Sequence, residues 1–225
     1  MLTIYGVPVS VHTRKVIVTA LHKGLQFRVE PVIPFNPPAN WAELSPTGKI
    51  PVADIDGFNL ADSAVICGYL DRLHPAQPIY PQDAKAYAQA RWFEEYAGAV
   101  LFREMIHGLF LNQVIKPAIL KQPTDTAAVS TILADVVPAR LAYLEGALTR
   151  DYFAGGQLSI ADIAIASNLV NFHYLGYEVD KARYPKLAAH FRRMLANKAF
   201  AAALEAEKGA AESMKLDRSF LGVPA

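Results

Sequence analysis

The chain of 225 residues carries 22 Lys and Arg against 21 Asp and Glu, so its formal net charge at pH 7 is +1. This balance gives no basic surface to attract nucleic acid or an anionic membrane, and the longest apolar runs are shorter than the ~20 residues of a membrane helix. The lone cysteine, Cys67, excludes an internal disulfide and fits a reducing compartment. Because the N-terminus leads directly into a strand-like run, we expect no signal peptide and a cytoplasmic location.

Composition favours a folded chain of one or two domains. Hydrophobic residues make up 52% of the chain and charged residues 19%, which is enough to build a sizeable core. The six histidines show no metal-ligand spacing to one another or to the cysteine, so no metal site is predicted.

The N-terminal segment predicts a βαβ unit. Residues 1–5 form a short apolar run typical of a strand, residues 10–22 carry apolar side chains at helical spacing, and residues 27–32 alternate loosely as in a second strand. Gly24 is a typical helix stop. A helix between two strands predicts a parallel pair with a right-handed crossover. A proline-rich loop follows at 34–40, and 41–44 is long enough for one helical turn.

Residues 45–69 organise the chain, because they predict a turn, a hairpin and a helix in quick succession. The strands are predicted at 52–55 and 58–60, joined by an Asp-Gly turn, which is a strong hairpin signal. Asp62 and Ser63 then open a helix. A helix start suits a carboxylate, and an acid beside a hydroxyl can also bind an amino group. The alternative interpretation of this pair is a plain N-cap.

From residue 83 onwards the periodicity is helical throughout. We predict long helices at 83–115, 124–148 (bent at Pro138) and 159–174, shorter ones at 185–196 and 199–208, and a packed or frayed tail at 209–225. The third helix begins with a capping-box pattern, Ser159 to Asp162, and carries no other formal charge up to 175, as is typical of a buried helix. The prediction is an α/β thioredoxin-like domain at 1–76, a linker at 77–82 and an all-helical domain at 83–225.

Two motifs carry a resemblance to a known family. The segment SPTGKIPV…DG…LADSAVICGYL resembles the glutathione-binding half of the glutathione S-transferases, and FAGGQLSIAD resembles the central element of their helical domain. The resemblance implies a cis peptide bond before Pro51, main-chain pairing of Ile50 with the cysteinyl part of glutathione, and Asp62 with Ser63 on the γ-glutamyl end. The family usually has Glu where this chain has Asp62. Lys49 is placed to reach the cysteinyl or glycyl side.

The resemblance also implies a residue that activates the glutathione thiol. A thiol with a pKa of ~8.5 is only a few per cent ionised at neutral pH, so a hydroxyl donor at a helix start would favour the thiolate. Ser10 lies where the theta and phi types place their catalytic serine; the alternative is that it only forms the N-cap of the first helix. Tyr5 lies about where the alpha, mu and pi types place a tyrosine, although a buried strand aromatic is the alternative. His12 and Thr13 lie within one turn of Ser10, and we expect His12 to face solvent.

The implied function is attack by the glutathione thiolate on an electrophilic small molecule, in a chain that forms a homodimer. Isomerase, dehalogenase, lyase or peroxidase chemistry with glutathione is the alternative, as is a non-catalytic binding or interaction module. The second substrate is expected between the domains. Candidate apolar residues for its binding surface, each also interpretable as helical core, are Val7, Val9, Phe102, Met105, Ile106, Phe110, Phe172, His173 and Tyr174.

Overall fold

The computed structural model describes residues 1–222, and the first third of the chain forms a four-stranded sheet with helices packed against it. The elements of this part are β1 (Leu2–Tyr5), α1 (Val11–His22), β2 (Phe27–Glu30), α2 (Trp41–Leu44), β3 (Val52–Ile55), β4 (Phe58–Ala61) and α3 (Ser63–Leu73). All of them were predicted from the sequence within a few residues.

The sheet has the strand order β2-β1-β3-β4. Strand β1 pairs in parallel with β2 and antiparallel with β3, so that Tyr5 faces Glu30 on one side and Val52 on the other. Strands β3 and β4 form the predicted hairpin, whose turn residues Asp56 and Gly57 have φ of 53° and 88°, the left-handed values that such tight turns require. This arrangement confirms the predicted thioredoxin-like fold.

The rest of the described chain is helical. It comprises α4 (Ala84–Tyr96), π-helical turns (Ala97–Ile106), α5 (His107–Phe110), π-helical turns (Leu111–Leu120), α6 (Thr126–Thr131), π-helical turns (Ile132–Val136), α7 (Val137–Ala147), α8 (Ile160–Tyr174), α9 (Pro185–Ala196), α10 (Lys198–Ala206), α11 (Lys208–Ser213) and a 3₁₀ turn (Ser219–Gly222). The all-helical character of this part is therefore confirmed.

Helix ends and internal geometry differ from the prediction in three places. The first long helix continues past 115 to Leu120, where Lys121 takes the left-handed conformation common just after a helix C-terminus. The helix Thr126–Ala147 is continuous, with π-helical turns just before Pro138, where the proline interrupts regular hydrogen bonding. The predicted tail contains a further helix, α11, whose Ala211 is fully buried; residues 223–225 lie outside the described residues.

Helix α8 is the buried centre of the helical part, as predicted. Every residue from Ile160 to Tyr174 is buried, and its capping box is formed. The Asp162 carboxylate accepts hydrogen bonds from the backbone N–H groups of Phe153 and Ser159 at 2.9 and 2.8 Å. It also contacts His190 Nε2 at 2.9 Å. A fully buried carboxylate is tolerated here because its oxygens are satisfied.

Helix α1 lies between the two parts of the molecule. It packs against α3 on one side and against α8 and α10 on the other. Two cations on its buried face are neutralised from the helical part: Arg14 by Glu207 at 2.9 Å and Lys15 by Glu94 at 2.8 Å. Because a buried charge without a partner is costly, these pairs fix how α1 sits against the helical part.

The helix Thr126–Ala147 is long and apolar enough, by length and composition alone, to cross a membrane. The expectation that every apolar run is shorter than a membrane helix therefore does not hold for this helix. In the described residues it packs against α9 and against the π-helical turns of the preceding long helix. Only 22% of its most apolar window is buried within the chain, and its exposed side chains are mostly small or polar, with Tyr143 as an exposed large apolar side chain.

Candidate glutathione site

Ser10 is the N-cap residue of α1, as predicted. Its backbone N–H donates to the Val7 carbonyl at 3.0 Å. Its Oγ accepts a long hydrogen bond, 3.5 Å, from the Thr13 N–H. As an acceptor in that bond, the hydroxyl keeps its own proton available for a ligand at the helix start. Capping and contact with a thiolate are therefore compatible roles for this residue.

The segment before β3 adopts the backbone conformation that the resemblance implied. The peptide bond between Ile50 and Pro51 is cis, and the Lys49 carbonyl accepts a hydrogen bond from Ser45 Oγ at 2.7 Å. Pro51 is buried, Ile50 is half-buried and the Lys49 side chain is exposed. Lys49 is therefore free to approach a ligand at the surface.

Gly6 brings this segment against the start of α1. A Cβ at this position would lie 2.6 Å from Thr13 Oγ1, too close to fit unless Thr13 moved, and 3.5 Å from Ile50 Cβ, which is an ordinary contact distance. Gly6 therefore lies beside both Thr13, in the first turn of α1, and Ile50, in the cis-proline segment. Ser10 and Ile50, which are distant in sequence, are thus brought to one region.

Asp62 and Ser63 form the start of α3. Asp62 has φ of 77°, and its Oδ1 accepts from the N–H groups of Ala64 and Val65 at 2.7 and 3.3 Å. The capping role is therefore real. Because the side chain is exposed and a carboxylate has a second oxygen, Asp62 can still accept from an amino group. Ser63 is 5% exposed and sits at the positive end of the helix dipole.

His12 lies near the start of α1 and is less exposed than the sequence suggested. Its ring is half-buried and meets Phe102 of the helical part edge-on, with ring centroids 4.5 Å apart. The pKa of His12 is lowered to about 4, mainly by burial and also by the charge of Lys15, while the Asp62 carboxylate opposes the shift. The imidazole is therefore neutral at pH 7 and packs partly against the other domain. Only its place two residues after Ser10 could have marked it.

Tyr5 lies away from the start of α1. Its ring packs edge-on to Trp41 at 6.4 Å, in a small cluster with Val32 and Val52. The neighbouring strand residue Ile4 belongs instead to the main core beneath α1. Since successive side chains of a strand point to opposite faces, Tyr5 is on the face of the sheet that α1 does not cover.

The candidates for the second-substrate wall divide by burial. Val7, Phe102 and Phe110 are partly exposed. The others are buried in the core: Val9, Met105, Ile106, Phe172, His173 and Tyr174. The helical-core interpretation therefore holds for the five that lie on helices: Met105, Ile106, Phe172, His173 and Tyr174. Val9 is buried next to Ser10 in the chain. Within residues 1–222 no group of three or more His, Cys, Asp or Glu side chains is arranged to hold a metal.

Comparison with known proteins assigns the family. The model of the glutathione S-transferase N-terminal domain matches residues 4–78, and that of the glutathione S-transferase C-terminal domain matches residues 127–193. The chain belongs to the glutathione S-transferase family.

Individual relatives agree with that assignment. FtsZ-localized protein A of Caulobacter vibrioides is 24% identical over 87% of this chain and 91% of its own length. A glutathione S-transferase from Rhodospirillum rubrum superposes with a TM-score of 0.83 at 24% identity, covering 91% of this chain and 92% of the other. A glutathione S-transferase from Methylobacillus flagellatus, solved with glutathione bound, superposes with a TM-score of 0.74 at 28% identity, covering 90% and 98%.

Proposed function

We propose that this protein is a glutathione transferase in which the Ser10 hydroxyl donates a hydrogen bond to the glutathione thiolate. The observation that carries the proposal is the meeting, at Gly6, of the first turn of α1 with the segment that contains the cis Ile50–Pro51 bond. A cysteinyl group paired with the Ile50 main chain would lie near the start of α1. The hydroxyl and the helix dipole both favour a negative sulfur there.

The remaining parts of glutathione are assigned to the neighbouring residues. Asp62 accepts from the γ-glutamyl amino group, while Ser63 and the start of α3 hold its carboxylate. Lys49, which is exposed beside the cis-proline segment, pairs with the glycyl carboxylate. Residues 1–76 then form the glutathione-binding domain, and residues 83–225 supply the wall for the second substrate.

The reaction is nucleophilic attack. The thiol proton passes to solvent, the sulfur lone pair forms a bond to an electrophilic carbon, and the leaving group departs with the bonding electrons. Lowering the thiol pKa by about two units stabilises the thiolate by roughly 2.7 kcal/mol and makes it the main form at neutral pH. The partly exposed Phe102, Phe110 and Val7 favour an electrophile with an apolar body, and the neutral His12 adds a polar group that carries no charge at pH 7.

Titration of the bound thiol tests the proposal. The ultraviolet absorbance of the thiolate gives the pKa of glutathione on the protein. Ser10→Ala should raise that pKa and lower the rate at neutral pH, with much of the rate returning at high pH, while glutathione affinity stays close to normal. Tyr5→Phe is the matched control and should leave the pKa unchanged. If Tyr5→Phe raises the pKa and Ser10→Ala does not, the activating residue is Tyr5 and this assignment is wrong.

We also propose a homodimer. Large apolar side chains are exposed on neighbouring elements of both domains, among them Val65 of α3, Tyr87 and Trp92 of α4, and Tyr143 of α7. Exposed apolar patches of this kind are typical of protein interfaces, and a second copy of the chain would cover them.

A non-catalytic interaction module is the second candidate. It is favoured by the relative that covers most of this chain and is named for its localisation with FtsZ. Retention on immobilised glutathione combined with turnover of an aromatic halide would support the transferase. Retention without turnover of halides, peroxides or isomerisable substrates would favour the module. Turnover of a peroxide alone would favour peroxidase chemistry, and turnover of an isomerisable substrate alone would favour isomerase chemistry.

A further inference from the structure

The backbone just before Ser10 is held by side chains of buried residues. The Val9 carbonyl accepts a hydrogen bond from Asn171 Nδ2 at 3.1 Å and another from Arg14 Nη2 at 3.3 Å. Asn171 belongs to α8, the central helix of the other domain, and is 4% exposed. The peptide unit that carries Ser10 is therefore anchored from across the domain boundary.

The anchoring side chains hold each other in place. Asn171 Oδ1 accepts from Arg14 Nη1 at 2.9 Å, so both ends of the amide are engaged. Arg14 in turn donates to both carboxylate oxygens of Glu207 and to the Ser167 carbonyl. Such a network leaves Asn171 one orientation, because turning the amide over would put its NH₂ group against the guanidinium.

The loop that carries Ser10 has few contacts of its own that could replace this anchor. From Gly6 to Ser10 the backbone bonds are one from the Gly6 N–H to Glu30, one from the Ser10 N–H back to Val7, and the first bond of α1, from the Arg14 N–H to the Ser10 carbonyl at 2.8 Å; none of the three reaches the Val9 carbonyl. The bond from Thr13 to Ser10 Oγ, at 3.5 Å, is long. Asn171 and Arg14 therefore set the direction of the peptide bond between Val9 and Ser10, and with it the position of the hydroxyl.

We propose that Asn171 is a positioning residue for thiol activation: by fixing the Val9 carbonyl it holds the Ser10 hydroxyl in reach of the glutathione sulfur. This inference rests on the proposed function, since it acts through Ser10. It assigns the helical domain a part in activating glutathione as well as in binding the second substrate. Misplacement of a reacting group by about 1 Å can cost about 100-fold in rate, so the loss of this anchor should be measurable.

Asn171→Leu tests the proposal, because it keeps the size of the side chain and removes the amide without adding charge. The matched control is Asn168→Leu. Asn168 is also on α8 and 3% exposed, but its amide donates to the carbonyls of Ala97 and Ala164. Should Asn171→Leu fail to fold, Asn171→Asp keeps the shape and the acceptor for Arg14. Each change is also made in the Ser10→Ala background, which reveals any effect that bypasses the hydroxyl.

We expect the pKa of bound glutathione to rise by about one unit in the Asn171 variant, with glutathione affinity near normal and no change in Asn168→Leu. In the Ser10→Ala background the Asn171 change should add nothing. If Ser10→Ala raises the pKa but the Asn171 variant does not, the inference is wrong and the proposed function stands. A shift that persists without the hydroxyl, or failure of both Asn171 variants to fold, would also overturn it. If Ser10→Ala leaves the pKa unchanged, the activation mechanism fails first and this inference with it.

Discussion

Replacing Asp162 with alanine should produce a large loss of stability without disturbing the candidate glutathione site. The carboxylate is fully buried and accepts from three protein donors, the N–H groups of Phe153 and Ser159 and the Ser159 hydroxyl, in addition to its contact with His190. Alanine removes the acceptor and leaves the donors where water does not reach them. The residue lies in the helical core, far along the chain from Ser10 and Ser63.

The size of the loss follows from the two backbone donors. A buried N–H group left without a partner costs about 1–3 kcal/mol, so the Phe153 and Ser159 groups together account for about 4 kcal/mol. The favourable interaction of Asp162 with the dipole of α8 adds about 0.3–1 kcal/mol. A total free energy of unfolding of about 5–15 kcal/mol would be reduced to the point where partial unfolding is seen on mild heating.

Urea unfolding at several protein concentrations measures this loss, and the concentration series separates it from dissociation of a dimer. The matched control is Asp125→Ala, since Asp125 caps α6 through a single exposed bond to Ala128 at 3.0 Å and should cost only about 1 kcal/mol. Glutathione affinity should be unchanged in both variants at temperatures where they are folded. Equal losses in Asp162→Ala and Asp125→Ala would refute the reasoning from the buried donors.

Three further outcomes are expected. Ser63→Ala should weaken glutathione binding by about 1.5–3 kcal/mol, the value of a hydrogen bond to a charged group, with a smaller change in kcat; a loss confined to kcat would contradict its binding role. Burial lowers the pKa of His173 to about 4, so the unfolded chain takes up the proton first and stability falls as the pH drops from about 6.5 to about 4. Urea midpoints at pH 4.5 and 7 should therefore differ less in His173→Phe than in the wild type, and an equal difference would argue against this cause. Sedimentation should give about twice the 24.6 kDa chain mass. Trp92→Glu should shift it towards the monomer while Phe35→Glu, which changes a similarly exposed loop residue, should not; a monomeric wild type would rule out the dimer.

Local sequence signals were sufficient for the elements and for part of the site. Turns at Asp56 and Gly57, the capping box at Ser159 and the stop at Gly24 each depend on residues within a few positions of one another. Such signals act through backbone conformation and hydrogen bonds between near neighbours. The cis bond before Pro51 came from a longer motif, whose resemblance to a family supplied what the local pattern alone did not.

Other features were not predictable because their partners are far apart in the chain. Residue Arg14 meets Glu207, and His12 meets Phe102, only once α1 has packed against the helical part. A basic residue near a helix start is ordinarily solvated, so the sequence around Arg14 gave no sign that it would be fully buried. For the same reason the sequence predicted a solvent-facing His12.

The sequence by itself determined the order of strands and helices, the buried helix α8, and the family to which the glutathione-binding motif belongs, because periodicity, turn residues and caps operate over short distances. Tertiary structure alone decided which face of the sheet Tyr5 occupies and which apolar residues of the helical segment 84–120 are exposed. It also decided that Asn171 donates to the Val9 carbonyl beside Ser10. Those outcomes depend on how close-packed elements meet, and side-chain contacts across such interfaces are fixed by shape and by the need to pair every buried polar group.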